Sequence, residues 1–247
     1  MKKRLGFTML MLSAFGGAAM GAEIKVLSVG AVEPALVKLA DQFRRDTGNR
    51  VKIQFGTAPQ LAKRLADGES ADVLIAPPSV VEAQVKTGKI AAEGRVIVGR
   101  VGVGVTVRAD APSPDIATLD AFKLTLLNAD SVVYNQASTG LYLEKLFDLM
   151  GIGEQLKGRT TRYANGAQVL EHVIGGKGNE IGFGAITEIR LFEPKGLRFV
   201  GPLPAQIQNY TTYAAGVTSD AQDAAMDFVR YLASPAAKQT FAAAGID

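Results

Sequence analysis

The stretch IKVLSVGAVEPALVKLADQFRRDTGNRVKIQFGTAPQLAKRLADGESADVLIAPP, Ile24–Pro78, decides the fold of this 247-residue chain. It reads as strand and helix in regular alternation. Ile24–Val29 is apolar and rich in β-branched residues, and Gly30 closes it. Glu33–Thr47 places Leu36, Leu39, Ala40 and Phe43 on one face at helical spacing, with Gly48 as the stop. Val51–Phe55 is a second strand. Pro59–Gly68 is a second helix with Leu61, Leu65 and Ala66 on its buried side. Val73–Ala76 is a third strand, ended by Pro77 and Pro78, and Val80–Gly88 is a third helix. This β-α order predicts a mostly parallel sheet covered by helices on both faces.

Beyond it the pattern changes. RVIVGRVGVGVTV, Arg95–Val107, is far longer than an ordinary strand of about five or six residues. It reads as two strands, or as one that crosses between lobes. Helices are predicted at Leu119–Asn128, Leu141–Met150, Ala167–Ile174 and Gln222–Ala233, with a last one from Pro235. Strands are predicted at Ser131–Tyr134, Ile181–Phe183 and Leu197–Val200. A Pro-rich, then β-like return spans Gly201–Val217. Two β-α units with two connections between them imply two lobes, residues 23–100 plus 206–247 and residues 101–205.

The N-terminus reads differently from the rest. Lys2, Lys3 and Arg4 precede an apolar run from Leu5 to about Phe15, and then Gly16, Gly17, Ala18 and Ala19. A basic, an apolar and a small-residue region in that order mark a secretory leader over residues 1–22, cleaved after Gly21 or Ala22. The run is shorter than the roughly 20 apolar residues of a membrane span. The leader's three cations account for the formal net charge of +3, so the mature chain is formally neutral. No basic stripe of the kind a nucleic-acid binder keeps is present, and no nucleic acid is expected as a partner. Cysteine is absent, which excludes disulfides, thiolate metal sites and a thiol nucleophile. Roughly 225 remaining residues suffice for a hydrophobic core without them.

In open α/β sheets, ligands sit outside the carboxyl ends of strands, beside helix N-termini whose free N–H groups favour anions. Four turns meet that description: Gly30-Ala31 after the first strand, Thr57-Ala58 after the second, Pro77-Pro78-Ser79 after the third, and Ser138-Thr139 after Tyr134. Ordinary capping by Thr57, Ser79 or Ser138 explains each taken singly. Asn165 joins the set as a polar residue before a helix. Arg100, inside an apolar run, either points into the cleft to pair an anion or faces solvent from an edge. Glu33 and Asp72 are carboxylates near strand ends, with nothing in the sequence to bring them together. His172 is the single imidazole, reads as a packing or surface residue, and has no partner at metal spacing. With no base for Ser138, the chain is expected not to be an enzyme and to need no cofactor or metal.

The Ile24–Pro78 string resembles the first lobe of the molybdate-type periplasmic substrate-binding proteins of ABC transporters. So do GRVGVGVTVRADAPSPDI (Gly99–Ile116), ASTGLYLEKLFDLMGI (Ala137–Ile152), VGPLPAQIQNYTTYAAGV (Val200–Val217) and YLASPAAKQTFAAAGI (Tyr231–Ile246). The resemblance implies an α/β fold of the type II periplasmic-binding kind: two lobes, a two-stranded hinge and a ligand in the cleft. It also implies a periplasmic location, a small anionic ligand, a monomer, and an ABC permease in the inner membrane as partner.

Three turns depart from that family. Gly30-Ala31-Val32 stands where a Ser-bearing turn is usual, Thr57-Ala58 where a Ser-Ser turn is usual, and Gly182-Phe183-Gly184-Ala185 where a Tyr is common. Each lost hydroxyl removes a donor to a desolvated oxyanion, worth about 1.5–3 kcal/mol. The expected ligand is therefore a small oxyanion or organic carboxylate held at Gly30, Ala31, Thr57, Ala58, Ser138, Thr139, Asn165 and Arg100. Genuine molybdate or tungstate binding through backbone donors, and a sensor or adaptor role, are the alternatives.

Overall fold

The computed structural model describes residues 21–247. The expected leader falls almost wholly outside them. Three parallel strands open the chain: β1 (Glu23–Val29) lies between β2 (Arg50–Gly56) and β3 (Val73–Ala76). The helices between them are α1 (Glu33–Thr47), α2 (Ala58–Ala66) and, after β3, α3 (Pro78–Lys86). Pro34 starts α1, where its missing N–H costs nothing, and Gly48 ends it at φ +78°.

The long apolar run is one strand, β4 (Val96–Arg108). Its first half, to Gly102, pairs with the return strand β9 (Tyr210–Val217). Its second half, from Val103, pairs with β7 (Glu180–Ala185) and β8 (Leu197–Pro202). β9 also closes antiparallel on β3. Beyond β7 lie β5 (Ser131–Asn135) and β6 (Thr160–Tyr163), both parallel to their neighbours. Each lobe thus has a parallel core of three strands with antiparallel strands at its inner side. β4 and β9 carry the chain between the lobes.

Two cores follow this division. Ile24, Leu36, Phe43, Leu61, Leu74, Phe228 and Phe241 are buried in the first. There the Phe43 and Phe228 rings meet edge-on at 5.1 Å. Val105, Phe122, Phe147 and Phe183 fill the second, with Val169, Leu170 and Ile189 in a layer beside them. Each such side chain contributes about 1.5–3 kcal/mol of burial. The remaining helices are α4 (Leu119–Leu127), α5 (Ser138–Leu149), α6 (Gly153–Leu156), α7 (Gly166–Gly175), α8 (Ile186–Phe192), α9 (Asp223–Leu232) and α10 (Pro235–Ala243). Among the described residues no helix is long and apolar enough to cross a membrane.

Several elements differ from the sequence expectation, α6 among them, which is a single turn without a periodic signal. β6 is four residues, TTRY, too short and polar to carry a strand signal. α8, ITEIRLF, is β-branched and has no side-chain cap, so it reads as a continuation of β7. α5 begins at Ser138 rather than Leu141, because Asn135 Oδ1 accepts from the backbone of Ala137 at 2.9 Å and Gly140 at 3.3 Å.

Candidate functional site

Between the lobes lies a small cavity of about 50 Å³. Gly30, Ala31, Thr57 and Ala58 line it from the first lobe, and Ser138, Thr139 and Gly166 from the second. A second cavity of about 230 Å³ shares Gly30, Gly56, Thr57 and Gly166 as walls and adds Asn165 and Glu33. Seven of the eight sequence candidates therefore come to one place.

Helical starts face this space from both lobes: the 3-10 turn Gly30–Val32 that leads into α1, and the first turns of α2, α5 and α7. Their free N–H groups present partial positive charge. Local chemistry sets each one. Gln60 Oε1 accepts the Thr57 backbone N–H at 2.8 Å. Asn165 Oδ1 accepts from Gln168 at 3.0 Å, so this side chain is engaged as a cap. Ser138 is not a cap; it is the first residue of α5 and half-buried at the cavity wall. Ser79 lies inside α3 and does not line the cavity. Gly140 allows α5 to start here, since a Cβ on it would overlap the Asn135 carbonyl.

Arg100 is not brought to the cleft. It is exposed on β4, with its guanidinium 4.6 Å from the centre of the Tyr210 ring. Gly99, at φ +147°, shifts the β4–β9 register just before it, and the Arg100 backbone pairs with Asp247. No Lys or Arg lines either cavity among the described residues.

The sequence missed Glu188, on the first turn of α8. Its carboxyl lines both cavities and lies between the backbones of Gly30 and Gly166, where a Cβ on either glycine would collide with it. It is half-buried, and no ion pair forms to it among the described residues. Desolvation, then the nearby Glu33 carboxylate, push it from its ordinary 4.5 up to about 7, against a backbone hydrogen bond at Ala185. Glu33 is itself pushed up by burial, with Lys195 pulling it back. Burial and the Glu188 charge raise the Tyr213 phenol, which lines the same cavity. A carboxylate pair does exist, then, but Glu33 meets Glu188. Asp72 instead accepts the Lys25 backbone N–H at 2.7 Å. His172 bonds Tyr163 at 2.8 Å and takes no part in the cleft.

Next to Glu188, the Thr187 hydroxyl donates to the Ala31 carbonyl at 2.6 Å, from one lobe to the other. On the hinge, the Gln208 amide clips β4 twice. It accepts from Val103 N at 3.1 Å and donates to Val103 O at 3.0 Å.

The fold is similar to that of the Azotobacter vinelandii periplasmic molybdate-binding protein (TM-score 0.75, 20% identity, 91% of this chain and 98% of that one). It is also similar to the sulfate-binding protein of Mycobacterium tuberculosis (TM-score 0.71, 20% identity, 91% and 86%). Both likenesses concern the fold alone. A relative in sequence, aconitate isomerase from a Pseudomonas species, is 31% identical over 231 residues, 90% of this chain and 87% of its own. That relative is an enzyme, and it overturns the expectation, drawn from a lone His and no Cys, that a chain of this kind carries no catalytic activity. Residues 24–247 match the bacterial extracellular solute-binding proteins, and the chain belongs to that family.

Proposed function

We propose that the protein captures a small organic carboxylate, bearing two or three carboxyl groups, in the cleft between its lobes. The lobes are taken as residues 23–100 plus 206–247 and residues 101–205. The observation that carries this reading is the meeting of helical N-termini from both lobes on one cavity that, among the described residues, has no cation in its walls. Backbone N–H groups and the Ser138 and Thr139 hydroxyls hold the anion; Gly30, Ala31, Thr57, Ala58 and Asn165 shape its berth. The missing hydroxyl turns weigh against a tetrahedral oxyanion, and so does the Glu188 carboxyl on the wall. The family supports export to the periplasm and closure of the lobes on the ligand for an ABC permease. A thermal-shift and calorimetry panel of aconitate, citrate, tricarballylate, molybdate, tungstate and sulfate tests it. Stabilisation by carboxylates is expected, about 2.7 kcal/mol at a hundredfold excess over Kd. Stabilisation by the tetrahedral anions alone overturns it.

A second reading adds chemistry, and Glu188 together with the aconitate isomerase relative favours it. A carboxyl that changes protonation near neutrality is poised for proton transfer. On an unsaturated polycarboxylate it removes a proton from the carbon next to the double bond. The C–H electron pair becomes the new C=C bond, and the old π pair takes the proton at the far carbon. Charge that develops on the substrate carboxylates is held by the helical N-termini. No redox partner is required. Proton NMR of cis- or trans-aconitate with catalytic amounts of protein tests it; a mixture that does not change over days overturns it.

A further inference from the structure

We infer that Glu188 couples ligand capture to proton uptake: closing the cleft on a carboxylate draws one proton from water onto Glu188, which donates it to the bound anion. This rests on the reading of the cleft as a carboxylate site. It names the proton as a second ligand of that site.

The geometry leaves the carboxyl little choice. Its two oxygens are wedged between Gly30 of one lobe and Gly166 of the other, on the wall of both cavities. An anion that reaches the helical N-termini therefore comes to rest against it. Two anionic carboxylates in contact in a desolvated site cannot both stay ionised; one takes a proton that the pair then shares.

Among the described residues no cation stands by to relieve the repulsion. From α1 the facing titratable group is Glu33, of like sign. From β9 it is Tyr213, a neutral phenol. Lys195, after α8, acts on Glu33 and is exposed. The other charged neighbours are committed elsewhere. Arg108 on β4 binds Asp110 and Glu180, and Arg198 on β8 binds the carbonyls of Ala109 and Ala111. On α7, His172 bonds Tyr163 and Glu171 is exposed. On α8 itself, Arg190 lies over the Phe199 ring.

The sign follows from the direction of the shift. The free group titrates near neutrality, and the bound anion raises it further. Above neutral pH the bound form then holds a proton that the free form lacks. Affinity falls with rising pH, by up to about tenfold per unit, where ordinary carboxylate ligands show none of this dependence.

The experiment is calorimetry of the mature chain with tricarballylate, a saturated tricarboxylate that no isomerisation can consume. It is run at about pH 8 in buffers of differing ionisation enthalpy. Wild type is expected to take up close to one proton per ligand, and E188Q none, with its affinity slope against pH flattened. An infrared carboxylic-acid C=O band that appears on ligand addition, absent from E188Q, is the second readout and is available in wild type alone by its shift in D2O. Binding with no proton uptake in wild type overturns the inference and leaves the carboxylate reading intact. Uptake that persists in E188Q overturns it in favour of Glu33. Failure of every carboxylate to bind wild type overturns the underlying reading.

Discussion

Thr187 and Ala31, 156 positions apart in sequence, are joined by a 2.6 Å hydrogen bond from the Thr187 hydroxyl to the Ala31 carbonyl. Both residues are buried. The bond ties the start of α8 to the Gly30–Ala31 turn and sets where the neighbouring Glu188 carboxyl lies.

Thr187→Val keeps the shape and removes the donor, leaving a buried carbonyl unpaired. The cost is about 1–3 kcal/mol. Ligand affinity is expected to fall roughly 5- to 100-fold, with a lower melting temperature, as read by calorimetry and thermal unfolding. Thr187→Ser is expected to restore most of both.

Gly30→Ala and Gly166→Ala place a methyl group where the Glu188 carboxyl sits. Neither glycine has a positive φ, so the backbone accepts alanine. The flexible end of Glu188 must move instead. Ligand affinity is expected to fall at least about tenfold, while melting temperature changes little.

Glu188 also makes stability depend on pH. Its folded value, about 7, lies above its ordinary 4.5. Folding therefore favours the protonated form. Stability is full below the ordinary value and declines as pH rises towards 7, by no more than about 3 kcal/mol, since the group is only half-buried. Glu188→Gln removes the decline. Without ligand, this variant is expected to melt above wild type at pH 8 and level with it near pH 4.

Ser138→Ala removes a hydroxyl from the cavity wall without removing a cap, because Ala137 holds the cap position of α5. A bond to a charged ligand is worth about 1.5–3 kcal/mol, so affinity is expected to drop roughly 10- to 100-fold with the fold intact. Arg100→Ala, away from the cleft on Tyr210, is expected to leave affinity within about twofold. Titration calorimetry separates the two.

The contrast between Ser138 and Glu188 marks what the sequence makes legible. Helix α1 is readable because Leu36, Leu39 and Phe43 repeat at the helical period, and the turns at Gly30, Thr57 and Ser138 are readable because they follow strands. Glu188 is not. Its helix is seven residues, uncapped and β-branched, and its partner Gly30 is 158 positions away. The raised affinity for a proton comes from burial and from Glu33, and neither is a local property. Arg100 shows the converse. A charge in an apolar run looks aimed at the interior, but the bulge at Gly99 turns it outward.

Because β4 runs unbroken through both sheets, it acts as a ruler common to two cores. Val101 measures it against the first, and Val103, Val105 and Val107 against the second. Strand faces alternate with a period of two. One residue inserted between Gly102 and Val103 would move the second set to the opposite face of the strand while Val101 stayed in place. Evolution can therefore lengthen the surface loops of either lobe separately, but it can alter this strand only in steps that keep parity for both.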